Sequence, residues 1–272
     1  MSDAVRAPRF GLFIVGDEIL SGKREDKHFV KVIALLKARG LQLSWAQYLP
    51  DERQTITDAL RRSLSSTDVV FSCGGIGSTP DDHTRQAAAA ALGVPVILHP
   101  EAEMLITQRC VEMADEGRGS ADMAKPENRQ RLKMGEFPHG ARIIPNPFNR
   151  IPGFNVADHW FVPGFPVMAW PMIEWVLDTH YARYFNLAPQ SERSLLVFET
   201  PESAIAPLME AIEGEFPGIK AFSLPSVGDG QDGGPKRRHI ELGVKGDTGR
   251  IAAAYTRLVS ELRTMGAPFS EG

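Results

Sequence analysis

Apolar, β-rich runs alternate with segments of helical periodicity through the first third of the chain. Phe10 to Val15 precedes Phe29 to Arg39, Leu41 to Tyr48 precedes Glu52 to Leu64, and Val69 to Cys73 precedes Asp81 to Leu92. The periods of two and 3.6 residues predict β-α-β-α-β-α. Such alternation with short links implies right-handed crossovers and a mostly parallel sheet covered by helices on both faces, a three-layer α/β/α sandwich. Gly40 after Lys37 and Arg39, and Gly93 after the alanine run, mark two helix ends.

Farther on, Glu101 to Lys133 is helical and charged, and strands are expected at Ala141 to Ile144 and at His159 to Val162. Between them, Pro145 to Phe154 holds three prolines and a glycine, which predicts an ordered loop or linker. Pro163-Gly164-Phe165-Pro166 leads into an aromatic-rich helix through Trp170, Trp175, Tyr181 and Tyr184 that closes the first domain. From about Ser191 the pattern restarts: strand Leu195 to Glu199, helix Glu202 to Glu215, strands Ile219 to Leu224 and Arg238 to Val244, and helix Arg250 to Met265. This order suits a small α+β domain of split βαβ type. The expected domains are 1–188 and 189–272, and the glycine-rich loop Gly228 to Pro235 is expected to be mobile.

Composition narrows the function classes. An apolar content of 43% over 272 residues supports a sizeable core. A net charge of -4 gives no general attraction to nucleic acid or an anionic membrane, so neither is an expected partner, and a bound anion needs a local site. Cys73 and Cys110 lack metal-ligand spacing and read as free thiols of a reducing compartment. The first apolar run is too short for a signal or a membrane span, so the expected location is the cytoplasm.

The strongest local chemistry follows the third strand. Gly74, Gly75 and Gly77 let the backbone approach a ligand and present N–H groups to an anion, with Ser78 and Thr79 beside them. Thr79 as N-cap with Pro80 at the first helical position would aim a helix dipole at the same place. A plain tight turn with a Thr79/Asp82 capping box explains the same letters. Asp81 and Asp82 would repel a phosphate unless a divalent cation lies between, which predicts a Mg²⁺-like ion held by Asp82, with Asp17 or Glu18 as further ligands; otherwise both aspartates complement the helix dipole. Asp17 and Glu18, after the first strand, belong to the same carboxyl rim or are solvated turn residues. Asn146, Pro152, Gly153, Pro163 and Gly164 also follow predicted strands and offer rigid edges for a flat heterocycle, or are structural loops. Asp26 is a cap for the first long helix and His28 reads as a surface histidine. Lys125, Arg129, Arg131 and Lys133 form a basic stripe of the kind usually solvated. No serine-histidine-aspartate order, CxxC pair or HExxH occurs.

Together, Gly16-Asp17-Glu18-Ile19-Leu20-Ser21-Gly22, Gly74 to Thr84, Asn146-Pro147 with Pro152-Gly153-Phe154, and Val162 to Pro166 resemble the MoaB/Mog-type molybdopterin-binding family. Within it, the amino-terminal part of CinA-like competence/damage-inducible proteins is most similar, over roughly residues 8 to 185. The resemblance implies binding of molybdopterin or an adenylylated relative, assembly into homo-oligomers, and in CinA-like members a pyrophosphatase dependent on Mg²⁺, Mn²⁺ or Co²⁺ that splits ADP-ribose or FAD to AMP. By position, Asp17 and Glu18 would lie at the ligand, Gly74, Gly75, Gly77, Ser78 and Thr79 would hold phosphate, and Asp82, with Asp81, would serve metal or catalysis. The chain departs from the family where a glutamate gives way to Met168, a glycine to Asn149, an asparagine to His28 and a threonine to Cys73. Three functions are therefore expected in order: pterin-phosphate binding with or without adenylyl or pyrophosphate chemistry, a pyrophosphatase, and a catalytically silent binding module.

Overall fold

The computed structural model describes residues 7–187, 190–229 and 235–271. The chain divides into two compact units, Met1–Leu187 and Ala188–Gly272. In the first, β1 (Phe10–Val15), α1 (Asp17–Leu20), α2 (His28–Lys37), β2 (Leu43–Leu49), α3 (Arg53–Leu64), β3 (Val69–Cys73) and α4 (Thr84–Leu92) follow one another. Then come β4 (Val96–Leu98), α5 (Pro100–Asp115), α6 (Pro126–Leu132), β5 (Glu136–Pro138), β6 (Arg142–Ile144), β7 (Gly153–Val156), β8 (His159–Val162) and α7 (Pro166–Val176).

The central sheet has the order β2-β1-β3-β8-β7-β6, and only β7 runs against its neighbours. Every residue of β1 is buried because the strand feeds two cores. Phe10, Leu12 and Ile14 meet Val32 and Leu36 of α2 and Met172 and Val176 of α7. Phe13 and Val15 meet Ile56 and Leu60 of α3 and Ala87 of α4. Alternating side chains along a strand make this division unavoidable, and it yields the expected three-layer sandwich. Gly11 pairs with Trp45, whose indole occupies the space of a glycine-11 Cβ and donates from Nε1 to Asp68 Oδ2 at 2.7 Å.

Several boundaries depart from expectation. The charged stretch 101–133 is two helices, α5 and α6, parted by a segment containing Gly117 and Gly119, both at positive φ. Short β4 and β5 form a separate antiparallel pair, and the end of the proline-rich segment enters the sheet as β7. Gly40 and Gly93 do end their helices in the left-handed region, at φ 69° and 70°.

The second unit comprises β9 (Gln190–Phe198), α8 (Glu202–Glu215), β10 (Lys220–Ser226), β11 (His239–Asp247), α9 (Thr248–Thr264) and β12 (Phe269–Glu271). Its antiparallel sheet has the order β10-β11-β9-β12, so β11 is inserted between β9 and β10, as in a split βαβ unit. Val197 and Leu242 pack with Leu208 of α8 and Leu258 of α9. Residues 230–234 of the loop expected to be mobile lie outside the described residues. Among the described residues no helix is long and apolar enough to cross a membrane, and Cys73 and Cys110 are both free and buried.

Candidate functional site

Because β1, β2, β3 and β8 are parallel, their carboxyl ends share one edge of the sheet. β6 ends on that edge too, and antiparallel β7 begins there. This explains how Pro152, which precedes a strand, joins loops that follow strands. A cavity of about 580 Å³ opens at the edge. Of the residues singled out in sequence, Glu18, Gly74, Gly75, Gly77, Ser78, Thr79, Asp81, Asp82, Asn146, Pro152, Pro163 and Gly164 line it. Asp17 and Gly153 do not. Gly153 is buried in β7, where a Cβ would strike the Phe161 carbonyl, so the sheet itself requires glycine there.

The glycine turn is shaped from within. Gly74 (φ 108°) and Gly75 (φ 69°) occupy backbone conformations that other residues rarely adopt, and a Cβ on Gly74 would collide with the Val15 carbonyl. Gly74 N donates to Val162 O at 3.0 Å, Thr84 Oγ1 to Gly74 O at 3.1 Å, and Thr84 N to Gly75 O at 3.0 Å. Contrary to the capping expectation, Thr79 and Pro80 do not start a helix: α4 begins at Thr84, preceded by His83. The reason is Asp82, which turns back on the loop. Its Oδ1 accepts from Gly77 N at 2.8 Å, and its Oδ2 accepts from Thr79 N at 2.8 Å and Thr79 Oγ1 at 2.5 Å. The N–H groups of Gly75, Ile76 and Ser78, in contrast, have no acceptor among the described residues, and all three residues line the cavity.

Asp17 is stitched to the loop after β2: its N–H donates to Asp51 Oδ2 at 2.8 Å, and its Oδ1 accepts from Asp51 N at 3.2 Å. Asp51 itself lines the cavity. Burial, with the charges of Asp17, Glu18 and Asp81 nearby, holds its carboxyl above the usual range. Among the described residues no three His, Cys, Asp or Glu side chains gather in a metal-binding group.

Asn146, 5% exposed, spends its amide on the loop, donating to Asn149 Oδ1 and Ile151 O and accepting from Phe148 N. The two departures Asn149 and Met168 are neighbours, with Asn149 Nδ2 3.6 Å from Met168 Sδ, and both line the cavity.

Residues outside the motifs complete the wall or back it. Asp51 lies in the loop after β2, where the rim rule applied to that strand points. Arg24, anchored through its N–H to Glu18 O at 2.9 Å, contributes the single cation among the residues lining the cavity. Arg85, 2% exposed, donates from Nη1 to Ile76 O behind the turn, and Gln130 donates to Ser78 O. Burial lowers the Arg85 pKa, with the Asp82 charge opposing the shift. The basic stripe contributes none of its charges to the lining. Asp26 does cap α2, accepting from His28 N at 2.8 Å and Phe29 N at 3.1 Å. His28, however, is not a surface residue: it is 5% exposed, because its ring packs under the β8 loop with Nε2 3.0 Å from Gly164 O.

Comparison with known proteins agrees with this architecture. A CinA-like protein of Syntrophotalea carbinolica is 30% identical over 216 residues, which cover 75% of this chain and 50% of that protein. One from Anaeromyxobacter sp. is 33% identical over 217 residues, 76% and 50% of the two chains. The chain thus spans about half the length of these relatives. A protein of Pyrobaculum arsenaticum is 29% identical over 251 residues, 91% of this chain and 90% of its own. The crystal structure of CinA from Thermoplasma acidophilum, described as of unknown function, superposes with a TM-score of 0.53 at 28% identity, covering 63% of this chain and 97% of that one. The sequence profile of the family described as "Probable molybdopterin binding domain" matches residues 11–182, and the chain belongs to that family.

Proposed function

We propose that the chain binds molybdopterin or a related phosphate-bearing pterin or nucleotide in the rim cavity, with the phosphate on the glycine turn. The observation that carries this reading is the set of N–H groups of Gly75, Ile76 and Ser78, without acceptors among the described residues, in the wall of a cavity of about 580 Å³ that Arg24 also lines. Such a set of backbone donors suits an anion. The volume suits a small organic ligand, and the remaining rim loops supply the edges for its ring.

The donor set does not fit a divalent cation as it stands. Both Asp82 oxygens already accept from the loop, and no group of three ligands surrounds the site among the described residues. Binding therefore ranks above hydrolysis in this reading. Calorimetric titration with a pterin phosphate, FAD, ADP-ribose and AMP, followed by chromatography for AMP with and without Mg²⁺, Mn²⁺ or Co²⁺, tests it. The expected result is saturable binding of at least one of these ligands, thermal stabilisation and no product. Full occupancy at about a hundredfold excess over Kd stabilises by about 2.7 kcal/mol. Release of AMP supports the pyrophosphatase reading instead; no binding of any of them overturns the proposal.

A further inference from the structure

Beside the rim cavity lies a second one, of about 390 Å³, bounded by α2 and the loop after β8. The two share Val15, Ile19, Arg24, Gly164 and Phe165, so they form adjoining halves of one cleft. Their chemistry differs. The first is lined by backbone donors and acids, whereas the second is walled by Ile14, Phe165 and Pro166, with Lys27 and Glu25 also lining it.

His28 is among the residues lining this second half. The Gly164 carbonyl can only accept, so Nε2 carries the proton, and in the neutral ring Nδ1 is left as an acceptor. Nδ1 is buried and has no partner among the described residues. Asp26 offers it no hydrogen, since that carboxylate is an acceptor, of His28 N, Phe29 N and Tyr48 Oη. A buried acceptor without a donor costs stability, and native structures seldom leave one unexplained.

We propose that the second half of the cleft takes the uncharged, hydroxyl- or N–H-bearing part of a nucleotide whose phosphate rests on the glycine turn, and that His28 Nδ1 selects it by accepting its hydrogen bond. The proposal rests on the phosphate-binding reading above. Arg24, which lines both halves, lies where the two parts of such a ligand join.

The test compares AMP with inorganic phosphate as probes of the full chain, by calorimetry, in wild type, His28→Gln and His28→Asn. A glutamine amide reaches the place of Nε2 and keeps the Gly164 bond while losing the acceptor at Nδ1. An asparagine amide stands at the place of Nδ1 and keeps that acceptor while losing the Gly164 bond. AMP affinity is expected to fall about tenfold or more in His28→Gln, to return in His28→Asn, and phosphate affinity to stay level across all three. Equal AMP affinity in wild type and His28→Gln, or a loss greater in His28→Asn than in His28→Gln, assigns His28 a packing role and overturns the proposal. It is also overturned if AMP binds wild type no better than phosphate does, which leaves the glycine-turn reading intact. Binding of neither probe overturns this proposal, whereas the glycine-turn reading falls only if pterin phosphate, FAD and ADP-ribose fail to bind as well.

Discussion

Asp82→Ala separates a loop clamp from a metal ligand. In the structure the carboxylate accepts three hydrogen bonds, from Gly77 N, Thr79 N and Thr79 Oγ1. Bonds to a charged acceptor contribute about 1.5 to 3 kcal/mol each when shielded, and roughly 1 kcal/mol where solvent competes, as it does beside exposed Thr79. About 3 kcal/mol of loop order is therefore at stake. If the ligand must supply that ordering, affinity falls by about a hundredfold. Global stability changes less, because α4 starts at Thr84 and keeps its own anchors on Gly74 and Gly75. Calorimetry with AMP in the absence of divalent metal, urea unfolding, and amide exchange over residues 74–79 measure the three quantities. Asp82→Asn, with a single amide oxygen, should fall between wild type and Asp82→Ala. Wild-type affinity and wild-type exchange in Asp82→Ala would refute the clamp. A loss seen only when Mg²⁺ is present would assign the carboxylate to a metal after all.

Other consequences are smaller in scope. Gly74→Ala forces a Cβ against the Val15 carbonyl at a φ of 108°, so it should cost about 1 to 3 kcal/mol, seen as a lowered Tm by circular dichroism. Arg24→Met removes the one cation lining the rim cavity and should weaken phosphate binding several-fold, with steeper loss at low salt; unchanged affinity would exclude a charge role. His159, buried with Nε2 2.7 Å from Ser63 Oγ, has its pKa pushed down to about 4 by burial. The folded state then binds fewer protons than the unfolded one between pH 6.5 and 4, so this contribution is complete above pH 6.5 and is lost as pH falls through that window. Urea unfolding should show about 2 kcal/mol less stability at pH 5 than at pH 7 from this residue, a difference that His159→Gln removes.

The layers were legible because β1 and β3 are buried on both faces and so are written in nearly unbroken apolar letters. β3, β8 and α8 fall where their patterns place them, at Val69–Cys73, His159–Val162 and Glu202–Glu215. Strand β7 was hidden, since Pro152-Gly153 at its entry is also the signature of a loop. The letters Thr79-Pro80-Asp81-Asp82 spell a helix start, and only the three-dimensional turn shows that Asp82 hydrogen-bonds backward to Gly77. His28 stands between exposed Lys27 and Phe29, and its ring meets Gly164, 136 positions away. Arg24, Asp51 and Arg85 belong to no motif and become visible only when the strand ends are brought to one edge.

The central claim is that a phosphate-bearing ligand rests on the glycine turn. Hydrogen–deuterium exchange of the full chain with and without saturating AMP tests it most directly. The account predicts slowed exchange at Gly75, Ile76 and Ser78, whose N–H groups have no acceptor among the described residues, and little change at Gly77 and Thr79, which Asp82 already holds. Unchanged exchange at those three amides in the ligand-saturated protein, with protection elsewhere, would contradict it.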